Sequence, residues 1–309
     1  MIGEFELIDM IVDGLKSGPE VIVGPGDDCA VLRLKGDAVI STDTMVEGVH
    51  FRRDWSGPHE IGRKAIASGV ADVEADGARP VAVVVALVLP QNTDREWAEG
   101  LRDGVVEECE WARVSLAGGD VSSGPVAMIT CTVVGELGGR PAVTRAGARP
   151  GDVVAVCGQL GMAQAGLLVL GRGFRSPAAA VNAHRVPGVP YGQGVVAAQA
   201  GASAMIDVSD GLVADLGHVA KASGVAININ SAALPITDTQ QTVAAAMGGA
   251  DPLTFVLGGG DDHALVATFP AGSVPTGWRV IGKVTAGEGV TVDGKTWEGP
   301  TGWEHFAAH

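Results

Sequence analysis

The heptapeptide Gly24-Pro25-Gly26-Asp27-Asp28-Cys29-Ala30 constrains this chain more than any other stretch. Two glycines and a proline hold the backbone in a turn that larger side chains resist. Two adjacent carboxylates follow, and an apolar run from Cys29 to Leu32 leads away from them. The pattern recurs. Ser41-Thr42-Asp43, Val70-Ala71-Asp72, Gly118-Gly119-Asp120, Asp207-Val208-Ser209-Asp210-Gly211 and Gly259-Gly260-Asp261-Asp262 each set Asp at the end of an apolar run, most beside Gly or Ser. These carboxylates are expected to converge on one metal and phosphate site.

The rest of the chain supplies a frame for such a site. Its 309 residues suffice for two domains of roughly 150 residues each. Hydrophobic residues make up 46% and glycine 46 positions, with only 4% aromatics, which suits an α/β protein with many tight turns. The formal charge of −15 disfavours a nucleic-acid backbone as partner, because that needs a basic patch. A phosphate substrate would then need divalent cations to bridge it to the carboxylates. Cys29, Cys109, Cys131 and Cys157 are scattered, without C-x-x-C spacing. Zinc and a disulfide framework are therefore not expected, and a reducing cytoplasm is. Cys29, opening an apolar run, is expected to be buried. The acidic N-terminus lacks a signal-peptide pattern, and Val81–Leu89, the longest apolar stretch, is too short to cross a bilayer, so no membrane association is expected.

Periodicity predicts helices over 4–15, 58–76 and 93–111, the last with Thr93 as N-cap and Glu96 at capping-box spacing. Strands are predicted over 38–43, 81–89, 114–117 and 126–136. The turn-rich, cationic segment 145–152 marks a boundary, giving domains 1–147 and 148–309. Beyond it, strands are predicted at 153–157, 204–207, 225–229, 264–269, 278–284 and 290–292. Helices are predicted at 158–170, 191–200, 212–222 and 237–247, and 172–190 reads as irregular around its prolines. The mixture is α/β or α+β.

Familiar nucleotide signatures are missing. The chain has no Walker A loop, G-x-S-x-G elbow or H-E-x-x-H, and Gly158-Gln159-Leu160-Gly161 is a packing turn rather than a dinucleotide fingerprint. What remains is carboxylates, hard oxygen ligands suited to Mg²⁺. Asp28, Asp43, Asp72, Asp120, Asp207 and Asp210 form the natural set, with Ser41, Thr42 and Ser209 beside them. Any one of these alone reads more readily as a turn residue or cap; six abutting apolar runs read as a site. Arg145 offers a guanidinium fork matched to phosphate, or else a surface charge at the boundary. His50, two residues after Gly48, either faces a cleft or, as a lone His more often does, serves the structure, and Trp303 either packs on the core or stacks on a ligand.

Together, GDDCAVL, STDTMVEGVHF, GGD, TRAGARPGD, DVSDGLVADL, GGGDDHAL and the closing GWEHF resemble the thiamine-monophosphate kinase family, within the superfamily that includes aminoimidazole ribonucleotide synthetase. The resemblance runs from about Gly3 to Phe306. It implies an N-terminal mixed-sheet domain that forms a barrel at a homodimer interface, and a C-terminal α/β domain closing over ATP. It implies transfer of phosphate from the co-substrate ATP to thiamine monophosphate, giving thiamine diphosphate, with several Mg²⁺ ions. By position, Asp28, Ser41, Thr42, Asp43, Asp72, Asp120, Asp207 and Asp210 match the metal site. Asp43, Asp120, Asp207 and Asp210 carry the catalytic role. Gly119, Asp120, Arg145 and Ser209 match ATP contacts, and His50, Asp261 and Trp303 match contacts to the thiamine phosphate.

Two departures stand out. Asp261 occupies the place of the family's usual Glu and is one methylene shorter. Glu74 and Asp76 add two acids, without an assigned role, to the helix that carries Asp72. The alternatives are another ATP-using superfamily enzyme, of amidine-forming or selenophosphate-forming type, and a non-catalytic binder of nucleotide or thiamine phosphate. A carbamoyl-dehydrating maturation enzyme would need a C-terminal cysteine, whereas this chain ends Phe-Ala-Ala-His.

Overall fold

A computed structural model describes residues 4–15 and 17–303. Gly3 and the Glu304-His305-Phe306 portion of the closing motif lie outside the described residues. The chain divides into two units, one of Met1–Val73 with Ala78–Pro141 and one of Glu74–Gly77 with Ala142–His309.

The first unit contains helix α1 (Glu4–Val12), strands β1 (Val21–Val23), β2 (Val31–Leu32) and β3 (Ala38–Val46), helix α2 (Pro58–Ala75) up to Val73, strand β4 (Arg79–Leu89), helix α3 (Arg95–Ala112) and strands β5 (Ser115–Ser123) and β6 (Met128–Glu136). Four of the strands form a sheet in the order β3-β6-β4-β5. The β4–β5 pair is parallel and the others antiparallel. A parallel pair needs a long crossover, which α3 provides. Helices α2 and α3 meet at backbone distance: a Cβ on Gly104 would stand 2.0 Å from the His59 carbonyl oxygen. Only glycine fits there.

Three local expectations change. Asp43 and Asp120 lie within β3 and β5 rather than at the ends of runs, because Thr44–Val46 and Val121–Ser123 continue the ladders. The N-cap of α3 is Asp94, whose carboxylate accepts the Trp97 amide at 2.7 Å, while Thr93 is buried just outside the helix. Both residue types cap well; the helix starts one residue later than its pattern suggests. Cys29 is exposed. The run it opens pairs only as the two-residue strand β2, and within it Ala30 and Leu32, partly buried, face the core at Val81, Ala82 and Ala117.

The second unit contains β7 (Val153–Cys157), α4 (Met162–Gly171), α5 (Ala178–Arg185), α6 (Gln193–Gln199), β8 (Ala204–Val208), α7 (Leu212–Ser223), β9 (Ala226–Ile229), α8 (Asp238–Ala246), α9 (Leu253–Gly258), β10 (Ala264–Phe269), β11 (Arg279–Thr285), β12 (Gly289–Val292) and β13 (Lys295–Thr296). The seven strands run β13-β12-β9-β11-β7-β10-β8, antiparallel except for β12–β9. The period-two pleat sorts the side chains of β7 and β10 into two layers. Val154, Val156 and Val266 pack with Leu212, Leu216 and Val219 of α7. Ala155, Leu265 and Ala267 pack with Ala197, Phe269 and Trp278. Both faces of the sheet are thus buried, which explains strands that read as continuous apolar runs. The segment expected to be irregular contains α5: Pro177 lies just before it and Pro187 just after, so the prolines bound a helix rather than break one. The short helix α9 has no counterpart in the sequence reading.

Candidate active site

In the first unit, alternation along β3 places Ser41, Asp43 and Met45 on one face and Thr42 and Thr44 on the other. Helix α2 brings Asp72 to the Ser41 face, where the Ser41 hydroxyl donates to Asp72 Oδ2 at 2.5 Å. Asp43 Oδ1 accepts the amide of Thr44 at 2.8 Å, which fixes its rotamer. Thr42 lies away from this group, its hydroxyl 3.0 Å from Thr132 Oγ1 across the strand pair. His50 Nδ1 accepts the Val46 amide at 3.0 Å, so the imidazole is anchored at the end of β3.

The opening turn and the Gly-Gly-Asp of β5 meet at a cavity of about 710 Å³, which Asp28, Gly119 and Asp120 line together with apolar residues of α1 and β4. Within the turn, Asp27 Oδ1 accepts the Asp28 amide at 2.8 Å. Both carboxylates are exposed, and Asp27 is the one engaged by the backbone of its own turn.

In the second unit, the site forms where β8 runs into α7. Asp207 is buried near the end of β8 and lies 3.0 Å from His263 Nδ1. His263 Nε2 stands 3.7 Å from Asp261 Oδ1, and His184 Nδ1 lies 3.8 Å from Asp261 Oδ2. Burial alone pulls the His263 pKa down; Asp207 and Asp261 outweigh it and raise it to about 10. The Asp261 amide donates to the Ser209 carbonyl at 2.7 Å, and the Trp303 amide to the Asp210 carbonyl at 3.1 Å. Five predicted residues, Asp207, Ser209, Asp210, Asp261 and Trp303, are thus tied to one turn.

Arg145 is exposed on the segment after Thr144, whose carbonyl accepts the Met205 amide at the head of β8. The field of Arg145 lowers the pKa of Asp76, although burial dominates and raises it.

Several residues escaped the sequence reading. Asp215, in the first turn of α7, is 2% exposed and accepts the amides of Asp210 (3.2 Å) and Gly211 (3.0 Å). Its pKa rises to about 7, mainly through burial, with further push from the charges of Asp207 and Asp210. Asp210, Asp215 and His218 each offer a ligand atom within 4.8 Å of one another. The signal was available: Asp215 stands amid Leu212, Val213, Leu216 and Val219, all buried, and a carboxylate on an apolar stripe is unusual. Asp262 proves structural, accepting the amides of Gly161 and Ala163 at the start of α4. Glu74 gains a role as well, accepting the amides of Gly192 (2.7 Å) and Gly194 (2.8 Å) at the start of α6.

The donor chemistry fits a hard divalent cation. Burial is the main cause of the raised Asp215 pKa, the charges of Asp207 and Asp210 add to it, and a cation beside these carboxylates would relieve the charge part.

Residues 26–137 match the AIR synthase related protein, N-terminal domain, and residues 149–295 match the AIR synthase related protein, C-terminal domain. The fold and its acid-lined turns therefore define a two-domain protein of the AIR synthase related class. The thiamine-monophosphate kinase of Mycobacterium tuberculosis (strain H37Rv) is 47% identical over 307 residues, covering 99% of this chain and 92% of that relative. That of Corynebacterium glutamicum is 40% identical over 317 residues, covering 99% and 94%. The solved structure "AaThiL complexed with AMPPCP and TMP" superposes with a TM-score of 0.80 at 37% identity, covering 98% of this chain and 97% of that one. This chain belongs to the thiamine-monophosphate kinase family.

Proposed function

We propose that this chain transfers the γ-phosphoryl group of ATP to thiamine monophosphate, giving ADP and thiamine diphosphate. Family membership across nearly the full chain carries the reading, and the carboxylates on β3, α2 and β5 and at the β8–α7 turn support it. The acceptor is already an ionised phosphate, so no strong general base is required. The barrier lies in bringing two anions together in line.

Asp28, Asp43, Asp72, Asp120, Asp207 and Asp210 would hold Mg²⁺, with Ser41 and Thr42 close by. Bound there, Mg²⁺ would supply charge neutralisation for the phosphates as they are brought together. Ser41 orients Asp72 through its 2.5 Å hydrogen bond, and the Thr44 amide orients Asp43. Arg145, Ser209 and Gly119 would bind the nucleotide phosphates, Arg145 through its planar fork. His50, Asp261 and Trp303 would hold thiamine monophosphate. Asp261 has φ of 66° and its amide is fixed on Ser209, so the turn sets the reach of this shorter acid.

A homodimer is proposed through the four-stranded sheet, whose edge strand β3 exposes Ile40 to 66%. Four free thiols fit a cytoplasmic location, and no helix among the described residues is long and apolar enough to cross a membrane.

The decisive assay incubates the protein with ATP, Mg²⁺ and thiamine monophosphate and follows ADP and thiamine diphosphate. Matched formation of both is expected. Tight nucleotide binding without either product would identify a binder instead.

A further inference from the structure

We propose that Asp215 is a positioning residue that sets the Ser209-Asp210-Gly211 turn, and so couples the orientation of the Asp210 carboxylate to the placement of Trp303. This rests on the phosphotransfer reading only for the role of Trp303; the metal-ligating chemistry of Asp210 stands on the donor set itself.

The geometry converges on one short segment. A single oxygen, Asp215 Oδ2, accepts both the Asp210 and the Gly211 amides, the two donors that follow Ser209. These amides lie at the start of α7, where no helical carbonyl precedes them to accept. The Asp210 carbonyl, on the other side of the same peptide plane as the Gly211 amide, accepts the Trp303 amide at 3.1 Å. A second strap runs alongside it, with the Ala214 amide donating to the Thr301 carbonyl at 3.1 Å. Gly302, between these two straps, leaves no room for a side chain: a Cβ there would stand 2.7 Å from Ala214 Cβ and 3.0 Å from the Asp210 carbonyl oxygen. The peptide joining Asp210 to Gly211 is therefore gripped from both ends, by a buried carboxylate through its N–H and by the 300–303 segment through its C=O. Because that peptide is planar, a rotation that releases one contact disturbs the other. Asp215 is itself fixed, being buried on the α7 stripe between Leu212 and Leu216.

Two variants separate this role from direct metal ligation. Asp215→Asn keeps a neutral oxygen that accepts both amides but removes the charge; Asp215→Ala removes both. Mn²⁺ binding, followed by the loss of the free-ion electron paramagnetic resonance signal, reads Asp210 without requiring turnover. Calorimetric titration with thiamine monophosphate reads Trp303. Asp215→Ala is expected to weaken both by about tenfold, as changes in residues that orient metal ligands do, while Asp215→Asn stays close to the parent protein in both. Unchanged Mn²⁺ and substrate binding in Asp215→Ala would overturn the proposal. So would Asp215→Asn losing as much Mn²⁺ binding as Asp215→Ala, because charge rather than turn geometry would then be the essential property. Circular dichroism confirms that each variant is folded, and Trp303→Ala provides the comparison, weakening substrate binding while leaving Mn²⁺ binding intact. If the parent protein makes no thiamine diphosphate, the function is refuted, while the Mn²⁺ arm still decides the role of Asp215.

Discussion

Replacing Asp262 by Ala tests how the Gly-Gly-Asp-Asp motif divides its work. The sequence presents two adjacent acids, but the structure gives them opposite tasks. Asp261 turns towards Ser209 and the two histidines, whereas Asp262 points into the protein and accepts the Gly161 and Ala163 amides. Its removal leaves two amides at a buried helix start without acceptors. Each unsatisfied donor costs about 1–3 kcal/mol. Part of this is offset, because burial pushes the Asp262 pKa up to about 7 and the substitution ends that cost. At pH 5 the offset is about 2 kcal/mol, which leaves a balance of about 2 kcal/mol for the two donors. For a unit of this size each kcal/mol lowers Tm by about 2–4 °C, so a drop of about 4–8 °C is expected. Differential scanning calorimetry at pH 5, without metal or substrate, measures it. A drop below about 2 °C would refute the reasoning, since the cap would then be dispensable. Asp261→Ala is the control, with φ of 66° and partial exposure, and it should affect activity far more than Tm.

Three further outcomes are expected. Ser41→Ala frees the Asp72 carboxylate from its 2.5 Å partner and should raise the Mg²⁺ concentration for half-maximal activity about tenfold with little change in Tm; an unchanged Mg²⁺ titration would remove Ser41 from the site. Glu74 is raised to about 7, first by burial, so its folded pKa exceeds the ordinary 4.5 and its stabilising contribution is full below that value and lost as pH rises through about 7. Glu74→Gln should therefore gain in Tm relative to the parent protein between pH 5 and pH 8, and a pH-independent difference in melting curves would contradict this. Asp207→Asn should lose turnover most severely at limiting Mg²⁺, and full turnover there would sink the metal-scaffold account.

The sequence by itself determined a great deal. Apolar, β-branched runs located β4 and β6, and a helical stripe located α1, because strands buried on both faces read as continuous apolar runs and a surface helix buries one stripe. The recurring Asp beside Gly or Ser marked the candidate site residues, since few other side chains bind hard cations and tolerate tight turns. The tertiary structure alone decided which acid does what. Asp27 and Asp28 are neighbours of identical chemistry and both line the cavity, yet Asp27 is tied to its own turn by accepting the Asp28 amide. Asp261 and Asp262 divide in the same way. Asp215 and Glu74 gain their roles from amides that converge on them only after folding, in the case of Glu74 from residues more than a hundred positions away. Local spacing records the turn in which a carboxylate sits. The direction in which that carboxylate points depends on hydrogen-bond donors brought in from elsewhere, and those exist as a set only in the folded chain.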